Sequence, residues 1–200
     1  MKKIISLFLT IYLTIISVNI LANNNTKKQV PKKTNWSVFE LSIFPTVPSS
    51  PYVTDVYGLK LGLPVSGGIK SVYGLETSVI GSGTDYIEGA QISVLANVCK
   101  TFYGLQLAFI NIANEYGDGI QGGFFNTNSF DFNGLQLGAF NLTGKKADGL
   151  AVGVYNFAAT SDGVQVGLLN ISNKSGLQFG LVNIIKDSPI PFMPLCNFSF

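Results

Sequence analysis

The chain has 200 residues, of which 13 are lysine and 11 acidic, with no arginine, no histidine, two cysteines and 46% hydrophobic side chains. Without histidine the Ser-His-Asp and Cys-His nucleophile pairs and the usual zinc sites are excluded. Without arginine or a basic stripe there is no means of forking onto phosphate or guanine, so no nucleic-acid partner is expected, and no motif calls for a cofactor or a metal.

In chain order, Met1-Lys2-Lys3 precedes a largely apolar run from Ile4 to Leu21, then Ala22 and a polar, asparagine-rich stretch. A charged start, an apolar run and a small residue before polar sequence predict a secretory signal over residues 1–22, cleaved after Ala22. The run is close to bilayer-spanning length, so an uncleaved anchor is the alternative. Residues 23–35 read as a polar, solvated leader carrying Lys27, Lys28, Lys32 and Lys33. Once Lys2 and Lys3 leave with the signal, 11 lysines balance 11 acids. Trp36 to Phe44 alternates in part, as a half-buried strand does, until Pro45, Pro48 and Pro51 stop it. Residues 36–57 are therefore expected to cap the repeats that follow.

From residue 58 to 188 one phrase returns, clearest as Gly104-Leu-Gln-Leu-Ala-Phe-Ile-Asn111 and Gly134-Leu-Gln-Leu-Gly-Ala-Phe-Asn141. Its leading glycines are Gly58, Gly74, Gly89, Gly104, Gly119, Gly134, Gly149, Gly163 and Gly176, spaced by 16, five times 15, then 14 and 13. A short fixed period is the signature of a stacked architecture. Counting the glycine as position zero, positions one and five are apolar in every copy, and position three is apolar apart from Thr77 and Gly122. This period-two pattern predicts a strand burying one face, with the apolar set inward. Position four is Gly, Ser or Ala throughout, and position two is mostly glutamine: Gln91, Gln106, Gln121, Gln136, Gln165 and Gln178. The glutamines are expected to form an outward strip, the candidate binding surface. Position seven is asparagine at Asn111, Asn126, Asn141, Asn156, Asn170 and Asn183. If like positions stack, these amides exchange hydrogen bonds along the axis as a structural ladder. Asp118-Gly119, Asn133-Gly134, Asp148-Gly149 and Asp162-Gly163 read as turn dipeptides between strands.

Two architectures use such a unit. A β-solenoid of about nine coils of roughly 15 residues places like positions directly above one another; an up-and-down outer-membrane barrel alternates them between two ends. The recurrent asparagine favours the solenoid. The aromatic ending Asn197-Phe-Ser-Phe200 and the strand length keep the barrel as the alternative. Residues 189–200 read as a closing segment.

No chemistry-bearing constellation stands out. The aspartates before repeat glycines read as turn residues, and the glycine clusters lack the Lys-Ser/Thr of a phosphate loop. Phe125, Phe140 and Tyr155 at position six are expected to fill a corner of the core. Cys99 and Cys196 lie several coils apart and read as small apolar residues rather than a disulfide.

The tandem G-[LVI]-Q-[LVF]-G-x-x-N phrase, with the Pro189-Ile-Pro-Phe-Met-Pro-Leu-Cys-Asn-Phe198 ending, resembles bacterial exported proteins of the surface-repeat-containing family over roughly residues 58–200. That resemblance implies bacterial export and a location at the cell surface, outer membrane or periplasm, and brings no catalytic residues with it. The expectation is a non-enzymatic envelope protein presenting a repetitive face for adhesion or scaffolding, with an envelope glycan or protein as partner and a membrane also open. A small outer-membrane barrel is the first alternative and a carbohydrate-active β-helix enzyme the second.

Overall fold

The computed structural model describes residues 35–43 and 54–199. The signal and leader expectations, the three prolines before residue 54 and the terminal Phe200 lie outside the described residues. The strands are β1 (Asn35–Ser42), β2 (Thr54–Gly62), β3 (Val65–Ser78), β4 (Gly81–Ser93), β5 (Ala96–Leu107), β6 (Ile110–Gly122), β7 (Phe125–Asn128), β8 (Asp131–Leu137), β9 (Phe140–Ser161), β10 (Val164–Ser172), β11 (Gly176–Ile185) and β12 (Phe192–Ser199). From β1 to β11 every ladder is parallel, whereas an up-and-down barrel requires antiparallel neighbours. The fold is an all-β solenoid of about nine turns and about 15 residues per turn over residues 35–185. β12 folds back antiparallel along β11, covering the C-terminal side of the last coil.

The register follows the repeat. Gly104, Gly119, Gly134 and Gly149 pair in succession, and so do Asn156, Asn170 and Asn183. The two shorter repeats keep this register because the missing residues come from the connections around 159–163 and 173–176, outside the paired segments. Each coil has two strand segments, positions minus three to three and positions six to nine, joined by a corner at positions four and five. Three of the four expected turn dipeptides, those at Gly119, Gly134 and Gly149, lie instead within β6, β8 and β9, and Asp162-Gly163 forms a bend. The glycine is needed for a different reason. Gly134 has φ +121°, and a methyl group there would sit 2.1 Å from the carbonyl oxygen of Gly119 in the coil below.

The facing of the strands is the reverse of the sequence expectation. Position-two glutamines are buried, as is every position-seven asparagine, while position-five side chains such as Val94, Leu168 and Leu181 are more than half exposed, at 65%, 53% and 61%. The apolar core is built from position minus two, Val56, Val72, Ile87, Phe102 and Phe132, with Cys99 and Ala113 from the opposite segment. Gly117 holds that position between the two phenylalanines, whose ring centroids are 6.3 Å apart; an added methyl there would lie 2.5 Å from Phe102. A strict alternation identifies two faces without saying which is inside. A coil this narrow settles it in favour of amides that can pair along the stack and residues small enough for the corner.

Candidate functional site

Inside the solenoid two amide columns run side by side with opposite polarity. In the glutamine column each Nε2 donates toward the N-terminus: Gln136 to Gln121 Oε1 (3.1 Å), Gln121 to Gln106 (2.8 Å), Gln106 to Gln91 (2.8 Å), and Gln91 to the carboxylate of Glu76 (2.9 Å). In the asparagine column each Nδ2 donates toward the C-terminus, from Asn97 through Asn111, Asn126, Asn141, Asn156 and Asn170 to Asn183, at 2.8 to 3.0 Å. The second hydrogen of these amides reaches a position-three carbonyl of the next coil, as Asn126 does to Leu137 O (3.0 Å) and Asn141 to Val152 O (2.9 Å). The asparagine thus ties down the corner as well as the stack. Position four is small because the column crosses it: a methyl on Gly138 would lie 2.6 Å from Asn126 Nδ2. The two columns are joined across the coil, for example by Asn128 Nδ2 to Gln121 Oε1 (2.9 Å).

A one-way chain of donors needs an acceptor at its end, and Glu76 is that acceptor. Its carboxylate also takes hydrogen bonds from Ser66 and from Thr84 (2.7 Å), and lies 3.7 Å from the equally buried Lys60 ammonium. Lys60 donates to Gly67 O (2.9 Å) and Thr84 Oγ1 (3.0 Å). Burial lowers the Lys60 pKa from its ordinary value, and Glu76 opposes that fall. At the other end Gln178 Oε1 has no hydrogen-bond partner, as the last acceptor of such a chain must. The column is interrupted where Ala151 stands in place of glutamine, leaving a small void lined by Phe132, Ala147, Ser161 and Gln165.

All six glutamines proposed as a binding strip therefore stand in the interior, 0 to 2% exposed, and present nothing to a ligand. The asparagines form a continuous hydrogen-bonded column that also includes Asn97, which sequence reasoning missed because it falls one place off the repeat count. The lysine and glutamate that end the glutamine column were missed too. Their signal was that charge occupies position two only at Lys60 and Glu76.

The outward side chains sort into two edges. Between Asp55 and Lys174 every charged side chain except buried Lys60 and Glu76 lies within the four residues before a repeat glycine, and Lys186 and Asp187 continue that edge. There Lys146 bridges Asp148 and Asp162 at 2.8 Å each, and Lys100 meets Asp85 at 2.6 Å. Hydrogen bonds to Asp148 and Asp162 raise the Lys146 pKa, and the bond from Lys146 lowers that of Asp162. Among the described residues the opposite edge carries no charge. Its crest is the position-five column, with Leu63, Val79, Val94, Phe109, Phe124, Val154, Leu168 and Leu181 all exposed. Position three flanks it on one side, and position six on the other. Phe125, Phe140 and Tyr155, expected in the core, instead stack along this outer flank, with 4.9 Å between the first two centroids and 6.3 Å between the last two.

The acidic pair Asp148 and Asp162 is held by one lysine on an open edge, and burial pushes the Cys99 thiol well above its ordinary pKa, away from the thiolate a nucleophile needs. Both cysteines are free thiols, Cys99 buried and Cys196 partly exposed. Among the described residues no three His, Cys, Asp or Glu side chains come together to hold a metal ion, and no helix is long and apolar enough to cross a membrane. Comparison of the chain with family models, with curated proteins and with solved structures finds no match.

Proposed function

We propose that this chain is an exported, non-enzymatic envelope protein that acts as an adhesive or scaffolding surface, and that the working face is the uncharged edge of the solenoid. The observation that carries the reading is the segregation of charge: one edge collects the solvent-facing ions and the other repeats leucine, valine and phenylalanine coil after coil. Contiguous exposed apolar surface of this extent marks interaction sites in folded proteins. At roughly 4.8 Å per coil the nine-membered crest is about 40 Å long, so many weak contacts act together and no single residue dominates. The resemblance of the repeat phrase to exported surface-repeat proteins supports the same reading, as does the signal-like sequence of residues 1–22.

Hydroxyl-radical footprinting on octyl-coated beads tests the face. Binding should shield Phe109 and Phe124 while Tyr103 and Tyr116, before the repeat glycines, stay labelled; uniform labelling of all four would defeat the proposal. Export is tested separately by N-terminal sequencing, which should begin at Asn23 and not at Met1.

A further inference from the structure

The apolar edge differs from an ordinary docking patch in two respects. First, it is convex. The crest turns a corner between two strand segments, and both flanks, including Leu107 and Leu137 on one side and Ile80 and Leu95 on the other, are themselves exposed. A flat or convex protein partner touches such a crest along a line and leaves the flanks in water. A medium that flows around the corner covers both.

Second, most backbone donors of the corner are hydrogen-bonded along its central coils. Phe124 N and Phe125 N both donate to Phe109 O (2.9 and 3.0 Å), Val154 N and Tyr155 N both donate to Ala139 O (3.0 and 2.9 Å), and Phe109 N and Ile110 N reach Val94 O and Leu95 O (3.2 and 2.8 Å). The position-three carbonyls are taken by the asparagine column from within. Irregular backbone is expelled from hydrocarbon because its polar groups go unsatisfied, so a corner most of whose groups are bonded along or into the stack is a form that lipid tolerates. The opposite edge, with Lys145, Lys146, Asp148 and Asp162, keeps its ions where water can reach them.

We propose that the apolar edge inserts into the hydrocarbon surface of a lipid bilayer, with the solenoid axis lying in the membrane plane and the charged edge facing water. The inference rests on the scaffold reading above and names its counterpart. The contact is one-sided, in the manner of interfacial helices whose apolar face lies roughly 5–10 Å into the headgroup and acyl boundary. The uncharged crest requires no anionic lipid, so binding is indifferent to salt.

The test places a single tryptophan by replacing Trp36 with phenylalanine in the full chain and making either Phe124→Trp on the crest or Glu115→Trp on the charged edge. Each is mixed with phosphatidylcholine vesicles whose acyl chains are brominated. Because bromine quenches on contact, the reading is local and independent of any other apolar segment of the chain. The Phe124→Trp emission should fall by at least about half and shift to the blue while the Glu115→Trp emission stays unchanged, in low and high salt alike. A further variant on the Phe124→Trp protein, Val94→Asp with Phe109→Asp and Val154→Asp, should abolish the quenching with its circular dichroism unchanged.

Equal quenching at both positions, or none at the crest, overturns the proposal. If quenching is absent while Phe109 and Phe124 are still shielded on octyl beads, the scaffold reading stands and its partner is a protein. A blue shift of the crest tryptophan that depends on protein concentration and not on lipid would assign the edge to a second copy of this chain, which also overturns it.

Discussion

Replacing Gln121 by alanine should be among the most damaging single changes in the chain, although the residue touches no ligand. Its side chain donates to Gln106 Oε1 (2.8 Å) and accepts from Gln136 Nε2 (3.1 Å) and Asn128 Nδ2 (2.9 Å), all at fully buried sites. The substitution leaves three polar atoms unpaired in a buried interior, each costing about 1–3 kcal/mol. Relaxation lets one of them recover a partner, so about 4 kcal/mol is the expected loss. With a urea dependence of about 2 kcal/mol per molar, the unfolding midpoint should drop by about 2 M. Gln121→Leu keeps the volume but not the hydrogen bonds, and should lose nearly as much. Urea titration followed by circular dichroism decides: midpoints within about 0.3 M of the parent for both variants would refute the buried column. A loss confined to the alanine variant would show that packing, and not amide pairing, holds the site.

Three further changes test other parts of the account. Gln136→Lys should destabilise by several kcal/mol because it places an unpaired ammonium at a buried site, whereas Leu137→Asp, on the exposed crest flank, should stay within about 1 kcal/mol, both read as melting temperatures. Glu76→Gln should cost about 3–5 kcal/mol by stranding Lys60, and Lys60→Gln added to it should restore most of that, since a buried pair is worth far less than one of its ions alone is costly. Without Glu76 the Lys60 pKa falls further below 10.5, so the unfolded state binds the extra proton in the interval between, and the deficit of Glu76→Gln relative to the parent should shrink as pH rises toward that value. Gly134→Ala should unfold or locally disrupt the stack, because φ is +121° and the methyl group meets a carbonyl oxygen at 2.1 Å; far-ultraviolet circular dichroism reads it directly.

Much of this fold was legible in the repeat. Nine glycines at near-constant spacing, with asparagine recurring at Asn111, Asn126 and Asn141, favour a stack of like residues over a barrel, and the parallel registers follow that spacing residue by residue. The facing was not legible from polarity. Leu105 and Gln106 alternate equally well whichever is inside, and general experience puts the leucine there. The better clue was regularity. A solvated surface does not hold one residue type at one place through successive coils, whereas Gln91, Gln106, Gln121 and Gln136 are kept by the bond each makes to the next. Position four gave the same message, since glycine at Gly138 is required only where another group passes close by. The true apolar core at Val72, Ile87, Phe102 and Phe132 escaped notice because Gly117 breaks its pattern, and that gap exists to admit the rings on either side. The candidate binding face moved with the facing, from the glutamines to the apolar side chains of positions three, five and six.

The claim beneath all of this is that amides fill the solenoid and apolar side chains clothe it. Exchange of the side-chain amide hydrogens of Asn126 and Gln121 with deuterated solvent, followed by nuclear magnetic resonance, tests it most directly. Both hydrogens of Asn126 are bonded, to Asn141 Oδ1 and Leu137 O, and that of Gln121 to Gln106 Oε1, whereas Asn114 is exposed. Exchange at Asn126 and Gln121 should be slower than at Asn114 by about a thousandfold or more, because it waits on opening of the stack. Exchange at the same rate in all three would place the amides on the surface and turn the coil inside out.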